Sequence, residues 1–325
     1  MALQLPLSLD VVAALIFPGI AGILGFLVVA IWAERKLVAR VQWRYGPLYV
    51  SKAIGGFLQP IADLVKLVFS ELVLPRHTNR LLFASTPVLL FVAEALPVAF
   101  IAAAPGLVVF HSPYGIVIAA VVWMLSAVAL VGMAWAEADK FTYVGAVREI
   151  LLTAAYEVPL LLSVLAMVIL YQTADPFKVV ESQWLWGVVL NPLAFLAFYI
   201  SLMMSTTRFP FEIPEAEPEV VLGPYTEYGS TLFILSFGGV YVKVYAGSLL
   251  GAVLFLGGWA PFNDVFLGAL ATLAKTALLT LPLLLVRAIY PRYRIDQALR
   301  LGWTKLLALS AGAVGLSALW AWSPW

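Results

Sequence analysis

Apolar positions in this chain come in long unbroken runs, not in the alternation of a strand or the one-sided stripe of a soluble helix. Eight runs stand out, near 11–33, 81–104, 115–136, 149–171, 185–206, 231–256, 265–287 and 303–322. Each is long enough to cross a bilayer as a helix, which takes about 20 residues. The pattern predicts an all-α polytopic membrane protein with about eight transmembrane helices, folded as one integral membrane domain over 1–325. One segment between the first two runs differs. From Phe57 to Leu72 the apolar residues Phe57, Leu58, Ile61, Leu64, Val65, Val68 and Leu72 keep helical spacing. Gln59, Asp63, Lys66 and Ser70 mark a polar stripe on another face. This piece is too short and too charged to span, so an amphipathic helix over about 56–72 is expected to lie along the membrane surface, with Pro60 in its first turn.

The polar interruptions carry the rest of the information. Between the fifth and sixth runs lies RFPFEIPEAEPEVVLGPYTEY, Arg208 to Tyr228, within a loop of about 207–230. Glu212, Glu215, Glu217, Glu219 and Glu227 fall here, while Pro210, Pro214 and Pro218 deny it a continuous helix. Carboxylates this close together beside a membrane raise one another's pKa and so suit proton handling; a solvated acidic loop is the plainer reading. The last connection, RAIYPRYRIDQALRLGW, sets Arg287, Arg292, Arg294 and Arg300 among Tyr290, Tyr293 and Asp296. It suits phospholipid headgroups or the acidic loop equally well.

Charge also sets an orientation. Lys and Arg collect in the odd-numbered connections, while the even connections and both tails hold only Lys178. By the positive-inside bias both termini face outward and the odd loops, the acidic one included, face the cytoplasm of a cell membrane. The N-terminus lacks a signal-peptide pattern, so the first run is expected to stay. Composition agrees: 63% hydrophobic and 11% charged, against about half and a quarter in soluble domains. A net charge of +1 gives no support for nucleic-acid binding. With no cysteine and only His77 and His111 far apart, disulfides, iron–sulfur ligation and a metal site within the chain are not expected.

Ionisable groups inside spans are functional candidates by default. Glu94, Glu149 and Arg287 read as structural pairs or end groups; Glu157 and Lys275 fall deeper in their runs and read as functional. Pro159 removes a backbone hydrogen bond beside Glu157 and leaves a polar spot. No Gly-rich phosphate loop, HExxH or GxSxG is present, so redox chemistry by this chain alone is not expected.

Five long segments, AERKLVARVQWRYGP (33–47), GFLQPIADLVKLVFSE (56–71), the acidic loop (208–228), LFLGGW (254–259) and YPRYRIDQALRLGW (290–303), resemble the H-subunit family of respiratory complex I, the NADH–quinone oxidoreductase. The family has relatives in energy-converting membrane hydrogenases. The resemblance covers nearly the whole chain in order. It implies a membrane subunit that walls a quinone-reduction chamber with its neighbours and couples redox chemistry to proton translocation. The donor would be of the NADH, ferredoxin or F420H2 type, and the partners would be membrane-arm subunits and peripheral subunits with the iron–sulfur clusters. Quinone and lipid would be its small-molecule contacts, and it would bind no metal or flavin of its own. By motif, Glu34, Arg35, Arg40, Arg44, Asp63 and Lys66 would line the chamber and its rim. Arg208, Glu212, Glu215, Glu217, Glu219, Glu227 and Tyr228 would form an acidic funnel leading to Glu157, with Lys275, Arg287, Arg292, Arg294 and Asp296 in the coupling machinery. Met124 stands where the family usually has a third-helix carboxylate, and Val240 where a sixth-helix one is common, with Lys243 one turn on. The alternative is the anchor of a membrane-bound hydrogenase or ferredoxin-driven complex without quinone. A stand-alone secondary transporter would want inverted repeats, and none is evident.

Overall fold

Asparagine and aspartate side chains set where three of the long helices begin. Asn79 accepts from the Leu81 and Leu82 amides, Asp139 from Phe141 and Thr142, and Asp264 from Phe266 and Leu267. Each satisfies donors that a helix start leaves unpaired. The computed structural model describes residues 9–322 and shows no strand among them. The helices are α1 (Leu9–Leu15), α2 (Ile20–Val41), α3 (Gln59–Val68), α4 (Arg80–Ala95), α5 (Gly115–Glu137), α6 (Lys140–Tyr171) and α7 (Pro176–Glu181). They continue as α8 (Gly187–Leu190), α9 (Pro192–Ser205), α10 (Glu217–Val220), α11 (Ser230–Phe255), α12 (Val265–Ile289), α13 (Ile295–Arg300) and α14 (Leu307–Trp322), with a π turn joining the last two.

Among the described residues seven stretches are long and apolar enough to cross a membrane: Leu9–Val41, Arg80–Phe100, Gly115–Glu137, Lys140–Tyr171, Ser230–Phe255, Val265–Ile289 and Ile295–Trp322. The fifth run, 185–206, is divided. Asn191 ends α8 and caps α9 by accepting from the Ala194 amide, with Pro192 in the first turn, so a new helix starts there. The Asn191 amide also donates to the Ala313 carbonyl at 2.9 Å and to Ser317 Oγ at 2.8 Å, tying α9 to α14.

Several boundaries differ from the apolar count for one reason. Glu, Lys and Arg are good helix formers, so a helix runs on past the end of its oily stretch. Glu34, Arg35, Lys36 and Arg40 therefore sit on the last turns of α2, not in the first connection. Likewise α6 begins at Lys140 and takes in Arg148 and Glu149. The surface helix α3 is shorter than expected, because Phe69 closes it and the chain beyond follows no regular helix or strand to Pro75.

Helix α11 is the centre of the bundle. From Gly239 to Phe255 every residue is buried, which is why this helix shows no polar face. It packs on α4, α12, α2 and α9, while α6 joins α5, α9 and α14. The odd-numbered connections all meet at one end of the bundle. There the acidic loop touches the end of α2 through Glu34, the start of α6 through Arg148 and the connection after α12 through the Tyr293 amide. Ser230 Oγ adds α3, with the Leu67 carbonyl of that helix at 3.3 Å and the Ser70 carbonyl just beyond it at 2.9 Å.

Candidate functional site

Glu34 is the hub of that end. It is 3% exposed, so its charge persists only if paired. Arg208 Nη1 donates to its Oε1 at 2.8 Å, and Arg287 donates to the same oxygen. Arg287 Nη2 lies 3.6 Å from Glu212, which Arg292 Nη2 meets at 2.8 Å. Alternating charges thus run Arg208, Glu34, Arg287, Glu212, Arg292 across α2, the loop, α12 and the last connection. The Arg208 guanidinium also lies 4.3 Å over the Tyr241 ring of α11, a cation–π contact. Burial works against the Arg208 charge, and Glu34 and Tyr241 outweigh it.

Beside the hub, α2 and α3 present a more open rim. Arg35 Nη1 and Asp63 Oδ2 are 2.5 Å apart, and Gln59 donates to the other Asp63 oxygen at 2.9 Å. Burial pulls the Asp63 carboxyl up; hydrogen bonds from Gln59 and Arg35 and the Arg35 charge together outweigh it and hold it below its ordinary value. Lys66 and Arg40 are exposed, and exposed Arg44 donates to the Gln42 side chain at 2.8 Å. Below the rim, α2 and α12 leave an apolar groove of about 490 Å³ lined by Phe17, Gly25, Phe26, Val29, Ala30 and Leu284. Ala30 and Leu284 are each about one helical turn from Glu34 and Arg287. Oil therefore leads directly to charge.

The acidic loop divides into inward-facing and wet parts. Glu215, half-buried, is the inward member. Burial pushes its carboxyl up to about 7, although the Thr207 hydroxyl (2.8 Å) and Arg208 pull the other way. The folded chain therefore holds this proton more tightly than the unfolded one. That contribution to stability is complete below about 4.5 and is lost as pH rises through about 7. Glu219 pairs with Arg148 at 2.5 Å, while Glu217 and Glu227 face outward. Tyr228 stacks on Phe83 with centroids 4.3 Å apart and bonds Thr86 Oγ1 at 3.2 Å. Arg294 pairs with Asp296 at 3.1 Å, both exposed.

Lys275 stands apart. Its ammonium donates to the Gly258 and Ala260 carbonyls at 2.8 and 2.6 Å, in the turn after α11. That turn lies at the far end of α11 from the acidic loop, so the structure does not bring Lys275 to the other sites. Glu157 is half-buried in α6. Glu94 and Glu149, read from the sequence as structural pairs or end groups, and Lys243 are buried in the bundle, and buried Glu137, which the sequence does not single out, accepts from Thr142 at 2.5 Å and from the Glu227 amide at 3.4 Å. No sequence motif marks them; only helix packing brings them together. Among the described residues no group of three or more His, Cys, Asp or Glu is placed to hold a metal.

The family model described as NADH dehydrogenase matches residues 14–318. The H subunit of an NADH-quinone oxidoreductase from Rickettsia typhi is 35% identical over 294 residues, covering 88% of this chain and 86% of that protein. The H subunit of an F420H2 dehydrogenase from Methanosarcina acetivorans is 34% identical over 334 residues, covering 94% of each.

Proposed function

Since the chain belongs to the NADH dehydrogenase family, we propose that it is the membrane subunit of a quinone-reducing, proton-translocating oxidoreductase complex. The observation that carries this reading is the apolar groove between α2 and α12, which ends about one turn from Glu34 and Arg287. A quinone has two matching parts, an isoprenoid tail that seeks lipid and a headgroup that needs polar partners and protons. The tail would lie along the groove, and the headgroup would reach the Arg35–Asp63 rim. Electrons would come from an iron–sulfur cluster in a peripheral subunit docked on the face bearing Arg40, Arg44 and Lys66, which we place on the cytoplasmic side. The relatives are named for NADH and F420H2, and the donor would bind a partner, not this chain.

Reduction of a quinone takes up two electrons and two protons. A charge arising at the headgroup would act on Glu34 and, through Arg287, on Glu212 and Arg292. Arg208 links the same hub to Glu215, the loop carboxyl held near neutrality, and from there the response would reach Glu157 in α6. The chain's part is to position the acceptor, answer its charge and move protons.

The groove supplies the test. A Cβ at Gly25 would meet nothing within 4 Å among the described residues, so Gly25→Phe can enter the groove without disturbing the bundle. In the assembled complex this variant is expected to raise the KM for a long-tailed quinone roughly tenfold, about 1.4 kcal/mol, and to leave that for a short-tailed analogue unchanged. Equal KM values for both substrates in variant and wild type would remove the groove from the reading.

A further inference from the structure

Glu94 closes the last turn of α4 but does not reach a surface. It is 4% exposed and its carboxylate rests on Gly239 of α11, where a Cβ would collide with Glu94 Oε2. Only glycine leaves room for this approach. One turn further along α11 sits Lys243, 6% exposed, with no carboxylate within ion-pair distance among the described residues. Its ammonium lies 5.9 Å from the centre of the Tyr156 ring. From α6 comes Glu149, 3% exposed, beside a Thr153–Tyr156 hydroxyl contact of 3.2 Å. Glu94 Oε2 and Glu149 Oε2 are both buried without a hydrogen-bond partner among the described residues.

These features do not make a closed structural ion pair. Such a pair would bring its charges to contact and satisfy the carboxylate oxygens, because each buried ion costs several kcal/mol otherwise. Here two carboxylates from two helices face one lysine on a third and none touches another. Lys243 is nevertheless the cation that acts on Glu94, Glu149 and Glu157 together. Two carboxylates and one ammonium leave an excess negative charge in a dry interior, and a shared proton is the smallest ligand that removes it.

We propose that Glu94 and Glu149 form a proton-holding site inside the bundle, with Lys243 as its fixed counter-charge and Gly239 as the gap that admits Glu94. The site rests on the proton-coupling role proposed above. The charged and titratable groups around it are Glu94 from α4, Glu149, Tyr156 and Glu157 from α6, Lys243 from α11, and Glu215 and Tyr225 from the loop. Its place between Glu215 and Glu157 makes it a station between the loop and the membrane interior. None of the five long motifs marks Glu94, Glu149 or Lys243, so the station is a property of this chain's packing.

The experiment uses the whole complex in proteoliposomes, reading protons moved per electron and the infrared band of protonated carboxyl groups. Glu94→Gln is expected to lower the proton-to-electron ratio roughly twofold or more and to remove intensity from that band, since a carboxamide cannot carry the proton. Gly239→Ala, which keeps every titratable group but pushes Glu94 from its place, is expected to lower the ratio in the same direction. If Glu94→Gln does not assemble, Gly239→Ala and Glu149→Gln decide the matter by the same two readings. A wild-type ratio with an unchanged infrared band in the assembled variants would overturn the site. If the wild-type complex itself moved no protons with its electrons, the coupling role would fall first.

Discussion

Glu34→Ala is expected to cost the protein about 3–5 kcal/mol, the usual consequence of removing one partner from a buried ion pair. The loss does not come from the pair's own attraction, which roughly offsets the desolvation of its members. It comes from what is left behind. Arg208 is 5% exposed and Glu34 is its only ion-pair partner among the described residues, so the variant strands a guanidinium in the bundle. Arg287 can still turn to Glu212, 3.6 Å away. Glu34→Gln should recover part of the loss, because the amide oxygen still accepts from Arg208. Removing both charges, as Glu34→Gln with Arg208→Met, should recover more. The amount of the chain incorporated into the complex and its thermal denaturation check this. A Glu34→Ala protein within about 1 kcal/mol of wild type would mean that Arg208 finds water and that the hub is no hub.

The second large effect is expected at the contact between Gly223 and Gly145. Gly223 has φ of +54°, and a Cβ there would collide with the Pro214 carbonyl oxygen. Across from it, a Cβ on Gly145 of α6 would meet the Gly223 Cα at 2.7 Å and Pro224 Cδ at 2.9 Å. The acidic loop can therefore lie against α6 only because both positions lack side chains. Gly223→Val combines a left-handed backbone, about 1–3 kcal/mol, with overpacking of about 1–3 kcal/mol, so the loop should lift from the helix. The Arg148–Glu219 pair and the burial of Glu215 would go with it. Limited proteolysis within 212–222 should become much faster, while cleavage elsewhere stays the same. Unchanged protection of the loop would show that other contacts, not the paired glycines, hold it.

What the chain reveals of itself depends on the range of the interaction. The spans are legible because bilayer crossing is written locally, in runs of apolar residues, and the acidic loop is legible because three prolines and five carboxylates interrupt them. Helix ends are less so, since Arg35, Arg40 and Arg148 lie outside the oil yet inside helices. Glu94 shows a different limit. The sequence reads it as a structural pair or end group, but after α4 the chain turns through Leu96–Phe100 and residues 101–104 remain fully buried. Lys275 errs the other way: deep in its run, it is absorbed by two carbonyls of a neighbouring turn. The cluster around Lys243 joins positions 94, 149 and 243, and no spacing in a single sequence marks such a meeting.

Coupling through the loop is the central claim, and Glu215 is where it is most exposed to measurement. With its carboxyl raised to about 7, it is protonated in acid and ionised above neutrality, so it changes charge in the range where the complex would work. The direct measurement is protons moved per electron by the reconstituted complex, followed from below to above neutral pH, in wild type and Glu215→Gln. The coupling role predicts a wild-type profile with an inflection near 7, and a variant that is poorly coupled at every pH because its side chain is fixed in the neutral form. A Glu215→Gln complex with the full ratio and the same inflection would contradict it.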